Sequence, residues 1–184
     1  VRAMSSSAFS TTTQATVTIG GATGRSSTFY VRTRRDATAR SVRPQAAAGN
    51  GHSFTLTPAG NIVAAGYNGN GQLANGTTFS SPQLRAIGGL SGVVLIASGD
   101  YHGLALKNDG TLLAWGYNAS GQLGDGTDAN PTLSFSNVSG LTQVESIAAG
   151  ANHSVARKSD GTVWAWGLNN QGQVGNGTAT LRYL

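Results

Sequence analysis

The stretch WGYNASGQLGDGT at residues 115–127 decides the fold, because the chain contains a close copy of it on either side. AGYNGNGQLANGT occupies residues 65–77, and WGLNNQGQVGNGT occupies residues 166–178. Several positions outside these stretches recur with the same period of about fifty residues. Self-similarity at a fixed period identifies an array of one structural unit.

The sequence HGLALKNDGTLLAWG at 102–116 shows what this unit contains. His102, Leu104 and Leu106 occupy every second position, which is the period of a β-strand. The turn signal Asn-Asp-Gly at 108–110 follows, and residues 111–115 return as a second strand. Runs at 93–99 and 132–138 add a strand before and after this hairpin. About four strands in fifty residues are typical of one blade of a β-propeller.

Seven recurring residues are interpreted as structural. The turn glycines require a positive φ, the tryptophans fill the space between neighbouring blades, and each histidine hydrogen-bonds a neighbouring turn from within its own blade. These residues are His52, His102, His153, Gly110, Gly161, Trp115 and Trp166.

A family resemblance follows from the third copy. AAGANHSVARKSDGTVWAWGLNNQGQVGNGT at 148–178 closely resembles the repeat of the regulator of chromosome condensation (RCC1) family. The resemblance extends over about residues 44–184 and implies a propeller of about seven blades, so the intact protein needs further blades. The first copy departs from the pattern, since Ala65 stands where tryptophan is expected. The predicted repeats span 44–93, 94–144 and a truncated 145–184.

Residues 1–33 form a separate β-rich segment with strand-like runs at 15–21 and 26–33. The two runs, joined by a Gly/Ser-rich turn, look like the closing strands of an immunoglobulin-like domain of the IPT/TIG type, which precedes repeats in bacterial surface proteins. An unrelated β-hairpin is the alternative. The predicted fold is therefore all-β: a partial propeller of about three four-stranded blades, preceded by a β-rich, Ig-like segment.

Residues 34–43 are predicted to be a basic linker. Residues 1–43 contain seven Arg and a single acid, whereas 44–184 contain five Lys or Arg and six Asp or Glu. The basic stretch at 32–43 has no aromatic residue to stack on bases. It therefore favours a solvated linker over a nucleic-acid-binding arm, and we expect no nucleic-acid partner.

No motif for a catalytic, metal or cofactor site is apparent. Three equivalent histidines suggest a metal ring, but each belongs to its own blade. The adjacent pairs His52-Ser53 and His153-Ser154 suggest a catalytic dyad, but neighbours in a strand point to opposite faces. The chain has no cysteine, no phosphate-binding motif and no apolar run long enough to span a bilayer. We predict that the protein is not an enzyme and needs no cofactor.

The predicted function is a non-enzymatic protein-interaction scaffold that binds a protein or glycan through its blade-connecting loops. By resemblance alone, the expected location is extracellular or at a bacterial cell surface, with the cytoplasm as an alternative. A guanine-nucleotide exchange factor for a small GTPase and a propeller-type enzyme inhibitor remain as alternative functions. The candidate partner-binding residues are Tyr101, Asp100, Asn118, Ser120, Asn170 and Gln171.

Overall fold

A computed structural model describes residues 9–18, 26–34 and 42–180 of the 184-residue chain. In these ranges all regular elements are β-strands, which agrees with the predicted fold class. The chain divides into two compact units, Val1–Arg40 and Ser41–Leu184. The described ranges hold no helix with the length and apolar character that spanning a bilayer requires.

The first unit contains an antiparallel pair, β1 (Phe9–Thr18) and β2 (Ser26–Arg34). β1 begins earlier in the chain than the strand-like run predicted from the sequence. The end of the first predicted run, at 19–21, the predicted turn at 22–25 and most of the predicted linker, at 35–41, lie outside the described residues. Membership of an Ig-like domain stays a prediction.

The second unit contains three antiparallel sheets, each with its strands in chain order. We call them blades 1, 2 and 3. Blade 1 comprises β3 (Gln45–Ala48), β4 (His52–Leu56), β5 (Ile62–Gly66) and β6 (Ser81–Ala86). Blade 2 comprises β7 (Val93–Ser98), β8 (His102–Lys107), β9 (Leu112–Gly116) and β10 (Thr132–Asn137). The described strands of blade 3 are β11 (Val144–Ala149), β12 (His153–Lys158) and β13 (Val163–Gly167).

The second strand of each blade shows how neighbouring blades cover its two faces. In β8, every residue from His102 to Leu106 is buried, including those of the glycine–alanine face. In β4, by contrast, Phe54 and Leu56 are buried while Ser53 is exposed. The glycine at 103 leaves room for the Trp115 ring of the same blade, and a Cβ there would also stand 3.0 Å from the Phe54 ring of blade 1.

The hairpins between the second and third strands have the predicted geometry. Gly110 and Gly161 both have a φ of 87°, in the left-handed region that favours glycine. The backbone N–H of Thr111 and its side chain donate to Asp109, which lowers the pKa of that carboxyl to about 2. Turn chemistry therefore accounts for the recurring Asp-Gly dipeptide.

The two tryptophans fill the space between blades, as the repeat alignment predicts. Trp115 of blade 2 is fully buried with Phe54 and Ile62 of blade 1. Trp166 of blade 3 is equally buried, against Leu104 of blade 2. Burying an indole on this scale is one of the largest favourable contributions that a single side chain makes to a core.

Because adjacent strands are antiparallel, each blade has two distinct ends. We call one the loop end; it holds residues 49–51, 67–80, 99–101, 117–131, 150–152 and 168–180. We call the other the hairpin end; it holds residues 57–61, 87–92, 108–111, 138–143 and 159–162. The backbone N–H of Asn50 donates to Asp100 O at 2.9 Å, and that of Asp100 donates to Ala151 O at 3.1 Å. These bonds between blades align the three loop ends.

Candidate interaction surface

A buried asparagine organises the long loop of each blade. Asn118 Oδ1 accepts the backbone N–H of Leu123 at 3.0 Å, and its Nδ2 donates to Thr127 O at 3.0 Å. The repeat-equivalent residues Asn68 and Asn169 make the corresponding bonds. The Asn118 side chain is fully buried, so its predicted role in partner binding is wrong. It shapes the loop from inside, because both ends of its amide satisfy backbone groups.

The glutamine of each loop joins one blade to the next. Gln122 Oε1 accepts the backbone N–H of Ser120 at 3.0 Å, which closes the loop tip. Gln122 O accepts the indole N–H of Trp166 at 2.9 Å, and Gln72 O accepts that of Trp115 at 2.6 Å. The loops are therefore attached to the tryptophan core and form a preorganised surface.

The histidines make structural hydrogen bonds across the blade interfaces. His102 Nε2 lies 3.0 Å from Ser154 Oγ of blade 3, and Ser154 Oγ donates to Gln122 O at 2.8 Å. The serine proton is committed to the carbonyl, so the imidazole must donate its own N–H to the serine. A general base would have to accept that serine proton, so this pair is not a nucleophile and its base.

His52 contacts Ser98 across the boundary between blades 1 and 2, with Nε2 and Oγ 3.0 Å apart, but Ser98 ends β7 whereas Ser154 lies in β12, so the two serines occupy different positions of the repeat. Burial lowers the pKa of His102 to about 3, and repulsion from His153 and His52 adds to this effect. Burial also lowers the pKa of His52. Both imidazoles are therefore neutral at neutral pH.

The packing of each histidine ring requires a glycine three residues before it in the chain. A Cβ at Gly99 would overlap the His102 ring and the carbonyl of Gly150 in blade 3, and a Cβ at Gly49 would meet the corresponding groups of His52 and Gly99.

Within residues 42–180, the histidines and acids form no cluster with the arrangement of a metal site.

The other predicted binding residues lie at the loop end. Tyr101, Asp100 and Ser120 are half-buried, whereas Asn170 and Gln171 are exposed. Asn50 Nδ2 donates to the Tyr101 hydroxyl at 2.8 Å, which holds this ring across the boundary between blades 1 and 2. Their role in binding stays a prediction.

Tyr101 is the middle of a row of three tyrosines, which we call the tyrosine strip. The ring centroids of Tyr67 and Tyr101 are 6.4 Å apart, and those of Tyr101 and Tyr117 are 6.3 Å apart, both in edge-to-face geometry. Tyr67 is 46% exposed, and Phe79, in the loop end of blade 1, is 80% exposed. Large exposed aromatic side chains are common in the centres of protein interfaces.

Sequence reasoning missed Tyr67 and Tyr117 as surface residues. Each directly follows the glycine that ends the third strand of its blade. The third copy has Leu168 at this position, and this difference was the available signal.

The two interfaces between blades differ beneath the strip. Gln122 Nε2 donates to Asn152 Oδ1 at 3.3 Å, across the boundary between blades 2 and 3. The equivalent Gln72 Nε2 is buried without a hydrogen-bond partner, because Tyr101 stands where Asn152 stands in the next copy. An unpaired buried amide is destabilising, so the aromatic ring at position 101 has a structural cost.

Comparison with known sequences identifies the repeat. The profile of the regulator of chromosome condensation (RCC1) repeat matches residues 60–106 and 109–157. A second profile of the same repeat matches residues 93–122 and 144–173. Together these matches span most of the three blades.

Solved structures support the propeller fold. Human WBSCR16 is 23% identical with a TM-score of 0.67, over 84% of this chain and 39% of that one. Yeast RCC1 (Prp20) bound to Kap60 is 24% identical with a TM-score of 0.70, over 88% and 38%. Prp20p from Saccharomyces cerevisiae, in a structure concerned with binding to Gsp1p and histones, is 24% identical with a TM-score of 0.70, over 88% of this chain and 40% of that one. The chain thus spans about two fifths of the length of these proteins.

Proposed function

The chain belongs to the RCC1 repeat family, and we propose that it is a non-enzymatic scaffold that binds a protein partner through its loop end. The setting we propose is a secreted or surface-associated bacterial protein. This setting rests on the resemblance of residues 1–33 to an IPT/TIG domain.

The tyrosine strip is the observation that carries this proposal. Tyr67, Tyr101 and Tyr117 form a continuous aromatic surface across two blades. Glycine, serine and asparagine surround them in the loops, and this combination is also enriched in antibody paratopes. Tyrosine provides a large contact area at low cost in conformational entropy, because it has few rotatable bonds.

The rigidity of the loops supports the same conclusion. Buried asparagine and glutamine side chains hold each loop in position before any partner arrives. Less ordering on binding leaves more of the contact energy for affinity. The yeast structures, one of Prp20 with Kap60 and one concerned with Gsp1p and histones, are consistent with a fold that binds proteins.

Site-specific photo-cross-linking in cells that produce the protein tests this proposal. We expect Tyr67→p-benzoylphenylalanine and Tyr117→p-benzoylphenylalanine to form a discrete cross-linked product. The same substitution at Asn108 and at Ser159, which are exposed at the hairpin end, is the matched control and should form none. Equal cross-linking from both ends would show that the loop end is not the binding surface.

Guanine-nucleotide exchange on a small GTPase is the alternative to the scaffold function, and it can be tested directly. Purified Gsp1p loaded with a fluorescent guanine nucleotide should release it at the same rate with and without this chain. Accelerated release would favour an exchange factor and contradict the scaffold proposal.

A further inference from the structure

We propose that the partner of the loop end is a cationic protein segment rich in arginine or lysine. This inference rests on the proposed function, since it specifies the chemistry of the partner that the same surface binds. The separation of charge between the two ends of the blades carries it.

Among the described residues 42–180, the loop end and the hairpin end of the blades carry opposite charge. The acids of the loop end are Asp100, Asp125 and Asp128, and this end has no Lys or Arg. The cations lie at the hairpin end or in the strand residues next to it; they are Arg43, Arg85, Lys107, Arg157 and Lys158. A surface that carries only negative groups attracts cations and repels anions.

Ion pairs strengthen this contrast. Each acid at or near the hairpin end has a cationic neighbour: Lys107 lies 3.1 Å from Asp109, Arg157 lies 3.0 Å from Glu145, and Lys158 lies 3.6 Å from Asp160. None of the three loop-end acids forms an ion pair with another described residue. Among the described residues, the negative charge of the loop end therefore has no cationic partner, and its attraction reaches about 8 Å at physiological ionic strength.

The tyrosine strip adds a second means of binding a cation. Asp100 is adjacent to Tyr101, so one partner side chain can meet a carboxylate and an aromatic ring together. A guanidinium or ammonium group binds favourably over the face of a tyrosine ring. Arginine suits this combination best, because its planar group stacks on the ring while its N–H groups donate to the carboxylate.

The buried amide of Gln72 lacks a hydrogen-bond partner; as a donor it does not itself attract a cation, but it bears on the role of Tyr101. In the next interface, the equivalent amide of Gln122 donates to Asn152, which occupies the position of Tyr101. Gln72 Nε2 is buried and has no such partner, since Tyr101 replaces the asparagine. The chain has an aromatic ring at position 101 in spite of this unpaired donor, as expected if the ring serves recognition.

Binding of two labelled peptides to the full chain, followed by fluorescence anisotropy, tests the inference. One peptide alternates Arg and Gly, and the other alternates Glu and Gly. We expect only the arginine peptide to bind, with an affinity that falls as salt rises. Asp100→Asn and Asp128→Asn should each weaken binding about threefold or more, and Tyr101→Ala about fivefold.

Asp109→Asn and Asp160→Asn are the matched controls, because they remove the same charge at the hairpin end. They should change the affinity less than about twofold. Equal weakening from both ends, binding of the glutamate peptide, or full affinity of Tyr101→Ala would overturn the inference. Self-association of the chain that Asp100→Asn abolishes would also overturn it, since the occupant would then be a second copy.

The outcomes separate this inference from the proposed function. If Tyr67→p-benzoylphenylalanine still captures a protein while Asp100→Asn and Asp128→Asn leave its capture unchanged, the scaffold stands and the cationic partner is wrong. If cross-linking does not distinguish the two ends, the scaffold proposal fails whatever the peptides do.

Discussion

The interface between blades 1 and 2 and the interface between blades 2 and 3 have the same core and different surfaces. In each core, a buried tryptophan donates its indole N–H to the glutamine carbonyl of the preceding blade. In each, the repeat histidine also lies 3.0 Å from a serine of the next blade, but the serine comes from β7 at the first interface and from β12 at the second. The tryptophan–glutamine contact therefore recurs at both interfaces, and the histidine finds a different serine at each.

The difference lies at the loop end. Tyr101 joins two other tyrosines at the first interface, whereas Asn152 pairs with Gln122 at the second. The second interface satisfies its buried amide, and the first leaves the amide of Gln72 unpaired. The comparison shows that one residue per copy is enough to replace a structural hydrogen bond with an aromatic ring at the surface.

Removing a tryptophan tests whether the two cores are equivalent, and we expect the largest effect from this change. Trp115→Ala and Trp166→Ala should each lower the free energy of unfolding by about 3–5 kcal/mol, because each leaves a large cavity between blades. Urea denaturation followed by circular dichroism measures the loss. A much smaller loss at either position would show that the interfaces do not share one core.

Trp164→Ala provides the control on the same strand. Trp164 is 41% exposed, so its removal should cost clearly less, about 1 kcal/mol. Similar losses for Trp164→Ala and Trp166→Ala would show that burial between blades is not the cause.

Lowering the pH should weaken both interfaces, because it favours protonation of their buried histidines. The loss of stability should be smaller than that from removing a tryptophan. The pKa of His102 is about 3 in the folded protein, and its ordinary value is 6.5. Below pH 6.5 the unfolded chain binds a proton that folded His102 does not, so stability is complete above pH 6.5 and falls as the pH drops towards 3. Between pH 6.5 and pH 5 the loss should be about 2 kcal/mol.

Histidine variants assign this loss to one interface. His102→Gln should flatten the stability curve between pH 6.5 and pH 5 more than His52→Gln, because His102 is the more deeply buried. Asp109, with a pKa of about 2, affects stability only below about pH 4. An unchanged slope in both variants would contradict the assignment.

Exchanging the residue that distinguishes the interfaces should have the smallest effect on stability. Tyr101→Asn introduces the acceptor that Asn152 provides one repeat later, so it should be about 1 kcal/mol more stable than Tyr101→Ala. Asn152→Ala should lose a similar amount. Equal stability of Tyr101→Asn and Tyr101→Ala in urea denaturation would show that Gln72 does not gain a partner.

Much of the architecture follows from local patterns in the sequence. Period-two alternation at 102–106 predicted β8, and the Asp-Gly signal predicted the turn at Gly110 with its positive φ. The recurrence of tryptophan predicted its burial between blades. These features could be predicted because each depends on residues close together in the chain or on strict repetition.

The partner-binding surface was less predictable from the sequence than the architecture. Asn118 was predicted to contact a partner, but the loop folds around its buried amide. Tyr67 and Tyr117 were not predicted to bind a partner, although Leu168 in the third copy shows that their repeat position varies. A loop residue can face either solvent or the interior, and the sequence pattern does not distinguish the two.

The sequence by itself determined the repeat, its strands and turns, and the residues that join one blade to the next, because these depend on backbone geometry and on burial of apolar side chains. Only the tertiary structure brought Tyr67, Tyr101 and Tyr117 from two blades into one strip, and only it separated the acids of the loop end from the cations. Both arrangements depend on how neighbouring blades align. That alignment comes from hydrogen bonds between residues about fifty positions apart, such as Asn50 and Asp100, which a local pattern does not reveal.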